Sequence, residues 1–519
     1  MECERRDMDV YRQGKVITDQ FYIDDDYNVP DAKNDVGNVI IGEGSLLVED
    51  MKVVENYIRV SGRLSFKVLY VAEDGAKRLG ALEGKIPFEE MVYMEEAQNG
   101  NLFLKSSQTD VTVTMIHSRK LNIKALCELQ ICSEKRETIS LTTDTQADFP
   151  LYKKFCKEQV LKLNTIHKDT YRIKEEVPVG GTKESIGTLL WTEATSRRLD
   201  TRIADGGLLL SGELLLFCFY ESPDGKTDWL EQTIPYEGRM ECPGAEENMY
   251  HHIYPTLTDV GIEARMDEDG EMRLIGVEAT LEARILVCEE ETVDILEDLY
   301  SLSQECTPKI QEEMVERLLM QNHSKCKVVE RLSLPEIKDS ILQICHSSAR
   351  IQADNTEVEE GGIRIEGVLH IYFLYVKADD EVPFGVWQGM IPFSHLLESN
   401  EMGNNMSYDI TCGVEQLSVG LLGSDEIEVK AVLAFNSFLR NQTPVRNIEE
   451  VETGPFNMEE QEKRPGIVGY IVKEGDDLWK LAKGYSTTTE GIMEVNHMAS
   501  EDIKPGDKIL IFKENMSIL

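Results

Sequence analysis

One strand-like segment of eleven residues occurs three times in this chain. Its copies carry Gly62, Gly212 and Gly367, which lie 150 and 155 residues apart. An Ile-Pro-aromatic triplet follows each glycine, with its proline 25, 23 or 25 residues further along. A sequence that recurs at a nearly fixed spacing folds into the same unit each time, so the chain should contain three superposable β-rich domains. The shared landmarks include no repeated reactive side chain, which favours a scaffold over an enzyme.

The repeated segment alternates between apolar and polar side chains, which is typical of a strand that buries one face. In the first copy, Leu64 and Ser65 face opposite ways. In the second copy, Leu215, Phe217 and Phe219 occupy the side that is polar in the first. A strand that is apolar on both faces has to be covered on both, so we expect the middle repeat to pack against a neighbouring part of the chain. The glycine within each strand predicts a bulge or a close approach of another backbone.

The charge balance narrows the range of partners. The 519 residues include 54 Lys and Arg against 95 Asp and Glu, which gives a net charge of −41. Such a field repels nucleic acids and anionic membranes and attracts a basic partner. The solubility of a large protein explains the same charge equally well. No stretch approaches the ~20 apolar residues of a membrane-spanning helix, and the first residues do not have the pattern of a secretory signal.

Neither the cysteines nor any motif indicates catalysis. The eleven cysteines include no Cys-x-x-Cys, and Cys127, Cys218 and Cys288 stand in apolar strand segments. We expect reduced core residues of a cytosolic protein. The metalloprotease, nucleophile-elbow and phosphate-loop motifs are missing from the sequence, so we predict no catalytic residue and no cofactor. Neighbouring His251 and His252 would face opposite sides of a strand, so a surface pair is expected rather than a metal site.

The chain divides where its composition changes. We predict a mainly β protein with a mixed α/β tail, in which partly helical connectors join three tandem β-rich repeats. Charged sequence such as 309–319 predicts helix in the second connector, and the prolines and glutamates after Asn441 predict an extended acidic linker. The predicted segments are an N-terminal arm (1–33), repeat 1 (34–135), a connector (136–183), repeat 2 (184–291), a helical connector (292–338), repeat 3 (339–441), the acidic linker (442–465) and a C-terminal unit (466–519).

The C-terminal unit carries the most specific motifs. A Gly-Asp-Asp-Leu-Trp motif at 475–479 turns the chain from a short strand into a helix, and Ile-Lys-Pro-Gly at 503–506 turns it into a closing strand. Between these motifs, Thr487 or Thr488 can cap a second helix. This strand-helix-helix-strand unit resembles the LysM domain, with Asp477 in the place of the usual Thr or Ser.

The resemblance implies a ligand groove. LysM domains commonly bind N-acetylglucosamine polymers, as in peptidoglycan or chitin, between the first turn and the loop before the last strand. The implied ligand-binding residues are Gly475, Asp476, Asp477 and Leu478 on one side and Asn496, Ile503 and Pro505 on the other. Several of these residues would be needed for the fold alone, and the carboxylate of Asp477 is expected to weaken the binding of a neutral sugar. If Trp479 is exposed, it is the leading candidate for a partner-binding residue, because aromatic anchors dominate interfaces. If it lies in the core, its loss should instead unfold the domain.

The three repeats resemble the SPOCS domain of spore-coat-associated proteins, on their Gly-x-Leu-x-Phe-x-Val-Leu-Tyr strand and on the Asn28-Val-Pro30-Asp31 opening. Together with the LysM unit, the whole chain is similar to the LysM-containing coat morphogenetic proteins of endospore-forming clostridia. This resemblance implies a non-enzymatic protein of the mother-cell cytosol, located at the forespore surface and in the spore coat. It also implies a partner, the coat scaffold ATPase called stage IV sporulation protein A.

Two other functions remain open on the sequence. One is a peptidoglycan-binding protein of the spore cortex or cell wall, which would use the LysM groove. The other is a wall hydrolase with a LysM anchor, and it is disfavoured because no repeat carries a catalytic pair. Capture by insoluble peptidoglycan, compared with capture of cytosolic partners from sporulating cells, separates the first alternative from the coat-assembly function.

Overall fold

The computed structural model describes residues 1–73, 78–95, 100–335, 341–377, 384–399, 405–423, 426–455 and 465–513. Repeat 1 is built from β1 (Cys3–Gln13), β2 (Ile17–Asn28), β3 (Val36–Val54), β4 (Tyr57–Ala72), β5 (Leu79–Tyr93), β6 (Asn101–His117) and β7 (Lys120–Thr145). Repeat 2 is built from β8 (Tyr152–Pro178), β9 (Thr188–Ala204), β10 (Gly207–Glu221), β11 (Thr227–Glu241), β12 (Tyr250–Met266) and β13 (Met272–Tyr300). Repeat 3 is built from β14 (Glu305–Ser333), β15 (Ile341–Glu359), β16 (Gly362–Lys377), β17 (Phe384–Glu398), β18 (Met406–Leu421) and β19 (Glu426–Gly454). The C-terminal unit contains β20 (Ile467–Ile471), α1 (Leu478–Tyr485), α2 (Thr489–Asn496) and β21 (Lys508–Phe512).

Each repeat consists of two antiparallel sheets around one hydrophobic core. The first is a meander of three strands, in the orders β3-β4-β5, β9-β10-β11 and β15-β16-β17. In the second sheet, a long strand (β7, β13 or β19) lies between its partners. The inward faces pack together, so that in repeat 1 Leu64 and Phe66 of β4 share a cluster with Ile123 and Cys127 of β7. The predicted β-rich class is confirmed, and the three glycine-bearing strands occupy one topological position.

The repeated glycine lies beside a shift of pairing register in all three meanders. A Cβ added at Gly62 would lie 2.0 Å from the carbonyl oxygen of Leu47, and one at Gly367 would lie 2.0 Å from that of Gln352. A Cβ at Gly212 would lie 2.4 Å from a tyrosine hydroxyl. The predicted close approach of a backbone is confirmed at Gly62 and Gly367, where no other residue fits against the carbonyl oxygen at these distances. At Gly212 the neighbour is a side chain, and the predicted bulge is found instead.

The segments predicted as arm and connectors are strands of the long-strand sheets. The arm forms β1 and β2 along β7, and β8 pairs with β13. The prediction of helix between repeats 2 and 3 is wrong, because β14 pairs along β19, with Ile310 opposite Ile448. Local charge pattern cannot reveal a strand that is fixed by so distant a partner. The segment predicted as an extended linker begins as β19, which continues to Gly454, while 456–464 lie outside the described residues.

The three repeats meet through the outer faces of their meanders. Leu69, Phe219 and Leu374, each seven residues after its glycine, are 0%, 0% and 3% exposed and share one cluster. Phe217 and Trp191 of the middle repeat belong to the same cluster. The expectation that the apolar outer face of the middle repeat packs against a neighbour is confirmed. Burial of these aromatic rings joins the repeats into one body.

The long strands also extend beyond the sandwiches as two-stranded ribbons. One ribbon pairs β1 with the end of β7, a second pairs the start of β8 with the end of β13, and a third pairs the start of β14 with the end of β19. The ribbons pack against one another through a shared apolar cluster that includes Val10, Val160, Val293, Val315 and Val445. The repeats are therefore joined along the ribbons as well as at the meander faces.

The cysteines expected in the core lie there. Cys127, Cys218 and Cys288 are 0%, 0% and 1% exposed. Burial raises the pKa of the Cys218 and Cys288 thiols to about 12. A thiol with so high a pKa stays protonated and unreactive at neutral pH, as expected for a packing residue.

Candidate functional site

The C-terminal unit folds around a small core beneath a two-stranded sheet. β20 and β21 pair antiparallel, with Tyr470 opposite Ile509. The side chain of Asp477 caps α1 by accepting a hydrogen bond from the Lys480 amide at 2.6 Å. Thr488 caps α2 in the same way, through the Gly491 amide at 2.9 Å. Satisfied first-turn amides explain why two helices of eight residues each are stable here.

The first loop of the unit is fixed by its own side chains. Gly475 has a φ of +83°, which favours glycine at this turn. The carboxylate of Asp476 accepts hydrogen bonds from the Tyr470 hydroxyl at 2.9 Å and the Lys473 amide at 2.8 Å. Its pKa lies below the usual value because of the backbone bond and the tyrosine bond. Asp476 is therefore ionised, and its two hydrogen bonds hold the loop in place.

The structure brings the two predicted sides of the groove together. The Val472 amide donates to the Asp507 carbonyl oxygen at 2.9 Å, and the Gly506 amide donates to the Val472 carbonyl oxygen at 2.8 Å. These bonds place the loop that contains Pro505 beside the loop that contains Gly475. Both of these residues are exposed. The pair of loops forms the open edge of the unit.

Other residues of the predicted groove serve the fold. Leu478 is 2% exposed and lies in the core. The amide side chain of Asn496 donates to the Leu510 carbonyl oxygen and accepts from the Leu510 amide, both at 2.7 Å, and so ties α2 to β21. Ile503 is half-buried against the same core. Asp477 is paired as well as capping, since its carboxylate lies 3.6 Å from the Lys154 ammonium nitrogen and 3.7 Å from that of Lys480.

Family models match both parts of the chain. The model described as SipL, SPOCS domain matches residues 35–118, 185–265 and 340–422, and the LysM domain model matches residues 470–512. The protein is a LysM protein with three SPOCS domains. Comparison with curated proteins and with solved structures gave no match. The LysM domain suggests glycan binding and the SPOCS domains indicate a role in sporulation, and both are typically binding domains rather than catalytic ones.

Repeats 1, 2 and 3 each contain one range matched by the SPOCS model and are called the SPOCS repeats. Trp479 of the LysM domain is in contact with repeat 2, the middle SPOCS repeat, at residues that follow its matched range. Its indole nitrogen donates to the Asp298 carboxylate at 2.8 Å, and its ring lies edge-on to Tyr300 with centroids 4.9 Å apart. Lys483, one turn further along α1, donates to the other oxygen of Asp298 at 2.6 Å. Sequence reasoning named Trp479 but missed Asp298, Tyr300 and Lys154. The only signal was a pair of tyrosines, Tyr152 at the start of β8 and Tyr300 at the end of β13.

The histidine pair is not a surface feature. His252 is 4% exposed, and the expectation of two surface histidines is wrong for it, because β12 turns this side chain into the contact between repeats. His251 is half-buried, and its ring bonds Thr201 at 2.9 Å. In the part of the chain that the structure describes, no group of three or more His, Cys, Asp or Glu side chains is arranged to hold a metal ion. Over the same residues, no helix is long and apolar enough to cross a membrane.

A cavity of about 1550 Å³ lies between the three SPOCS repeats. Polar side chains bridge the repeats along its wall: the Lys67 ammonium group of repeat 1 donates to the Thr192 carbonyl oxygen of repeat 2 at 2.6 Å. Glu193 of repeat 2 accepts a hydrogen bond from Tyr372 of repeat 3. Arg350 of repeat 3 lies 3.6 Å from Asp110 of repeat 1, which closes the ring. These contacts fix the order of the repeats around the cavity.

Proposed function

We propose that this protein is a non-enzymatic spore-coat morphogenetic protein that docks to the coat scaffold ATPase, a partner like stage IV sporulation protein A. It would act in the mother-cell cytosol, at the forespore surface. The observation that carries this proposal is the union of three SPOCS domains and one LysM domain in one chain. Sporulation domains combined with a binding domain suit a protein that localises coat material.

The shared positions of the three repeats serve structure, which supports an adaptor function. The repeated glycines and apolar residues build cores, and the charged residues between repeats bind one another. A body whose repeats are joined by apolar clusters and by buried polar contacts is a firm platform for a partner. The net charge of −41 favours a scaffold partner that presents a basic surface.

Deletion of residues 466–519 tests this proposal. The repeats have their own cores and should stay folded, while co-purification of the scaffold ATPase from sporulating cells should be abolished or strongly weakened. Circular dichroism and the thermal midpoint of the truncated chain give the folding control. Full retention of the scaffold by a folded, truncated chain would move partner binding to the repeats. Loss of coat localisation of the tagged protein during sporulation is the matching result in cells.

Glycan binding by the LysM domain is the second candidate function, at the spore cortex or cell wall. The adjacency of two exposed loops at Gly475 and Pro505 favours it, because these loops flank the groove implied by the resemblance. Asp476, Asp477 and Ile503 would stand at its margin, while Leu478 and Asn496 would support it from below. Retention of the full-length chain on insoluble peptidoglycan, competed by chitin oligomers, tests this function. A chain that is not retained on peptidoglycan but captures the scaffold ATPase would support the coat-assembly function instead.

A further inference from the structure

The tip of the β8–β13 ribbon is shaped to receive the LysM domain. Tyr152 and Tyr300 stand opposite each other at this tip, and their rings stack with centroids 5.1 Å apart. Tyr300 is 5% exposed, because it enters the apolar cluster of the LysM domain beside Leu478 and Leu481. Its hydroxyl donates to the Thr487 carbonyl oxygen at 2.9 Å. A residue of the SPOCS repeat thus completes the core of the LysM domain.

The polar part of the contact is centred on one carboxylate. Asp298, whose side chain is 15% exposed, accepts the Trp479 indole on one oxygen and the Lys483 ammonium group on the other. These two donors lie four residues apart and so share one face of α1. A mostly buried carboxylate held by two donors from one helix face is a specific contact, because each donor would lose a charge-assisted bond on separation. Lys154 adds an ion pair to Asp477 at the edge.

Only the ribbon of the middle repeat carries this arrangement in the described part of the chain. The corresponding strands of the other ribbons end at Thr145 and Gly454, neither of which has an aromatic ring to offer. The three ribbons are alike in pairing but differ at their tips. The LysM domain follows repeat 3 in sequence, yet it contacts repeat 2. The contact therefore depends on the tip residues and not merely on proximity along the chain.

We infer that the LysM domain is held in a closed state on the middle SPOCS repeat, in which the α1 face that carries Trp479 is reserved for Asp298 and Tyr300. Any other partner that uses this face, or that draws Asp477 away from Lys154, has to displace the contact. Because both sides belong to one chain, the contact forms at a high effective concentration. Ligand binding then shifts an equilibrium between closed and released states. The closed state is a property of the chain and holds whichever ligand the LysM domain takes.

Tumbling of the LysM domain tests the closed state in the full-length protein. The indole groups of the four tryptophans are labelled with ¹⁵N, and the Trp479 signal is assigned by Trp479→Phe. In the closed state the 58.9 kDa chain tumbles as one body, so this signal has the same slow relaxation as the indoles of the SPOCS repeats. The variant Asp298→Ala with Tyr300→Ala should sharpen the Trp479 signal several-fold and leave the other three indole signals unchanged. Both substitutions lie in the SPOCS repeat, so the helix, caps and strands of the LysM domain keep their own residues.

A neighbouring variant provides the control. Asp294→Ala removes a carboxylate whose side chain is 59% exposed on the same strand, and it should leave the Trp479 signal as in the unaltered protein. Acrylamide should quench Trp479 fluorescence more in the Asp298→Ala, Tyr300→Ala variant than in the unaltered protein. In Asp294→Ala the quenching should equal that of the unaltered protein. A Trp479 signal that is already sharp in the unaltered chain, or that stays broad in the double variant, would overturn the inference. A Trp479 signal at the random-coil position with loss of helical dichroism would show that the LysM domain needs Tyr300 to fold, which also contradicts a separable released state.

Discussion

Arg440 and Asp409 form an ion pair in the interior of the molecule, with a guanidinium nitrogen 2.7 Å from a carboxylate oxygen and each side chain 1% exposed. Arg440 also lies 3.4 Å from Glu316, and Asp409 accepts hydrogen bonds from Gln13 of repeat 1 and Tyr254 of repeat 2. One ionic network thus joins all three SPOCS repeats. Burial opposes ionisation of Asp409, but the charge of Arg440 outweighs it and holds the pKa of this carboxyl well below its usual value.

The first prediction concerns this ion pair. Arg440→Met leaves the carboxylate of Asp409 buried without its main partner, and loss of one member of a buried pair costs about 3–5 kcal/mol. The thermal and urea midpoints of unfolding should both fall. Adding Asp409→Leu should recover part of the loss, because it removes the carboxylate that Arg440→Met leaves buried, while Glu316 remains without its arginine. Lys52→Met is the surface control, since its pair with Asp50 is 60% and 43% exposed and contributes about 0–1 kcal/mol. Equal effects of Arg440→Met and Lys52→Met would contradict the network's role.

The second prediction concerns pH and His346. This ring is 3% exposed, stacks on Phe217, and faces the carboxylates of Glu193 and Glu231 at 3.4 and 3.0 Å. Burial alone lowers the pKa of His346, but hydrogen bonds to both carboxylates and their charges outweigh it, so the pKa is raised above 6.5. The folded state therefore binds this proton more tightly than the unfolded state. The resulting stability is complete below pH 6.5 and is lost as the pH rises through the raised pKa.

Thermal midpoints measured from slightly acidic to alkaline pH check this sign. The midpoint should fall as the pH rises above about 6.5, and His346→Gln should flatten that part of the profile. His117 is exposed, so His117→Gln serves as the control and should keep the slope. A slope that persists unchanged in His346→Gln would assign the effect to other groups.

The third prediction has the opposite sign and concerns His252. Burial lowers the pKa of this ring to about 4, and within the described residues its Nε2 atom has no hydrogen-bond partner. Between pH 6.5 and about pH 4, His252 is therefore protonated in the unfolded state but neutral in the folded state. Stability should decline as the pH falls through this window. His252→Phe keeps a ring against Tyr254 and Phe438 and should reduce the acid sensitivity, as measured by the midpoint at pH 5 relative to pH 7.

Much of the fold follows from local pattern, and the joints between domains do not. The alternation around Gly62 and the turn motifs of the LysM domain specify their own structure, because the residues that stabilise them are close in sequence. The sequence from Glu305 to Ser333 has a charged, partly helical pattern, and it is a strand because it pairs with β19. Asp298 resembles any surface acid, and only the folded chain places it under Trp479. The sequence could name a binding domain but not the surface against which it rests.

The fourth prediction compares two of the repeated glycines, Gly62 and Gly212. Gly62→Ala would place a Cβ 2.0 Å from the Leu47 carbonyl oxygen, and relief requires movement of the backbone. The Cβ of Gly212→Ala would lie 2.4 Å from the Tyr236 hydroxyl and 2.5 Å from its ring carbon Cζ. Relief here requires movement of the far end of one side chain, with loss of its 2.7 Å bond to Ser196. We expect Gly62→Ala to lower the thermal midpoint more than Gly212→Ala, with costs of about 3 and about 1 kcal/mol. Gly212→Val adds bulk on the β-carbon and should be worse than Gly212→Ala. The reverse order of Gly62→Ala and Gly212→Ala would show that the meander backbone adjusts more easily than the tyrosine.

The last prediction concerns sugar binding by the LysM domain. Asp477 caps α1 and is paired with Lys154 and Lys480, so a neutral sugar that approaches this side chain has to displace those partners without replacing the charge. We expect weak or absent binding of chitin oligomers to the unaltered chain. Asp477→Thr keeps an oxygen that can cap the helix, at a cost within about 1 kcal/mol, and removes the carboxylate, so binding should strengthen. Calorimetry of the full-length protein with chitin oligomers measures the change.

Asp476→Thr is the matched control, because it breaks the bonds to Tyr470 and Lys473 that hold the loop in place and should not strengthen binding. Tight binding by the unaltered chain, or weaker binding by Asp477→Thr, would show that the carboxylate itself contacts the glycan and would favour the cortex or cell-wall function.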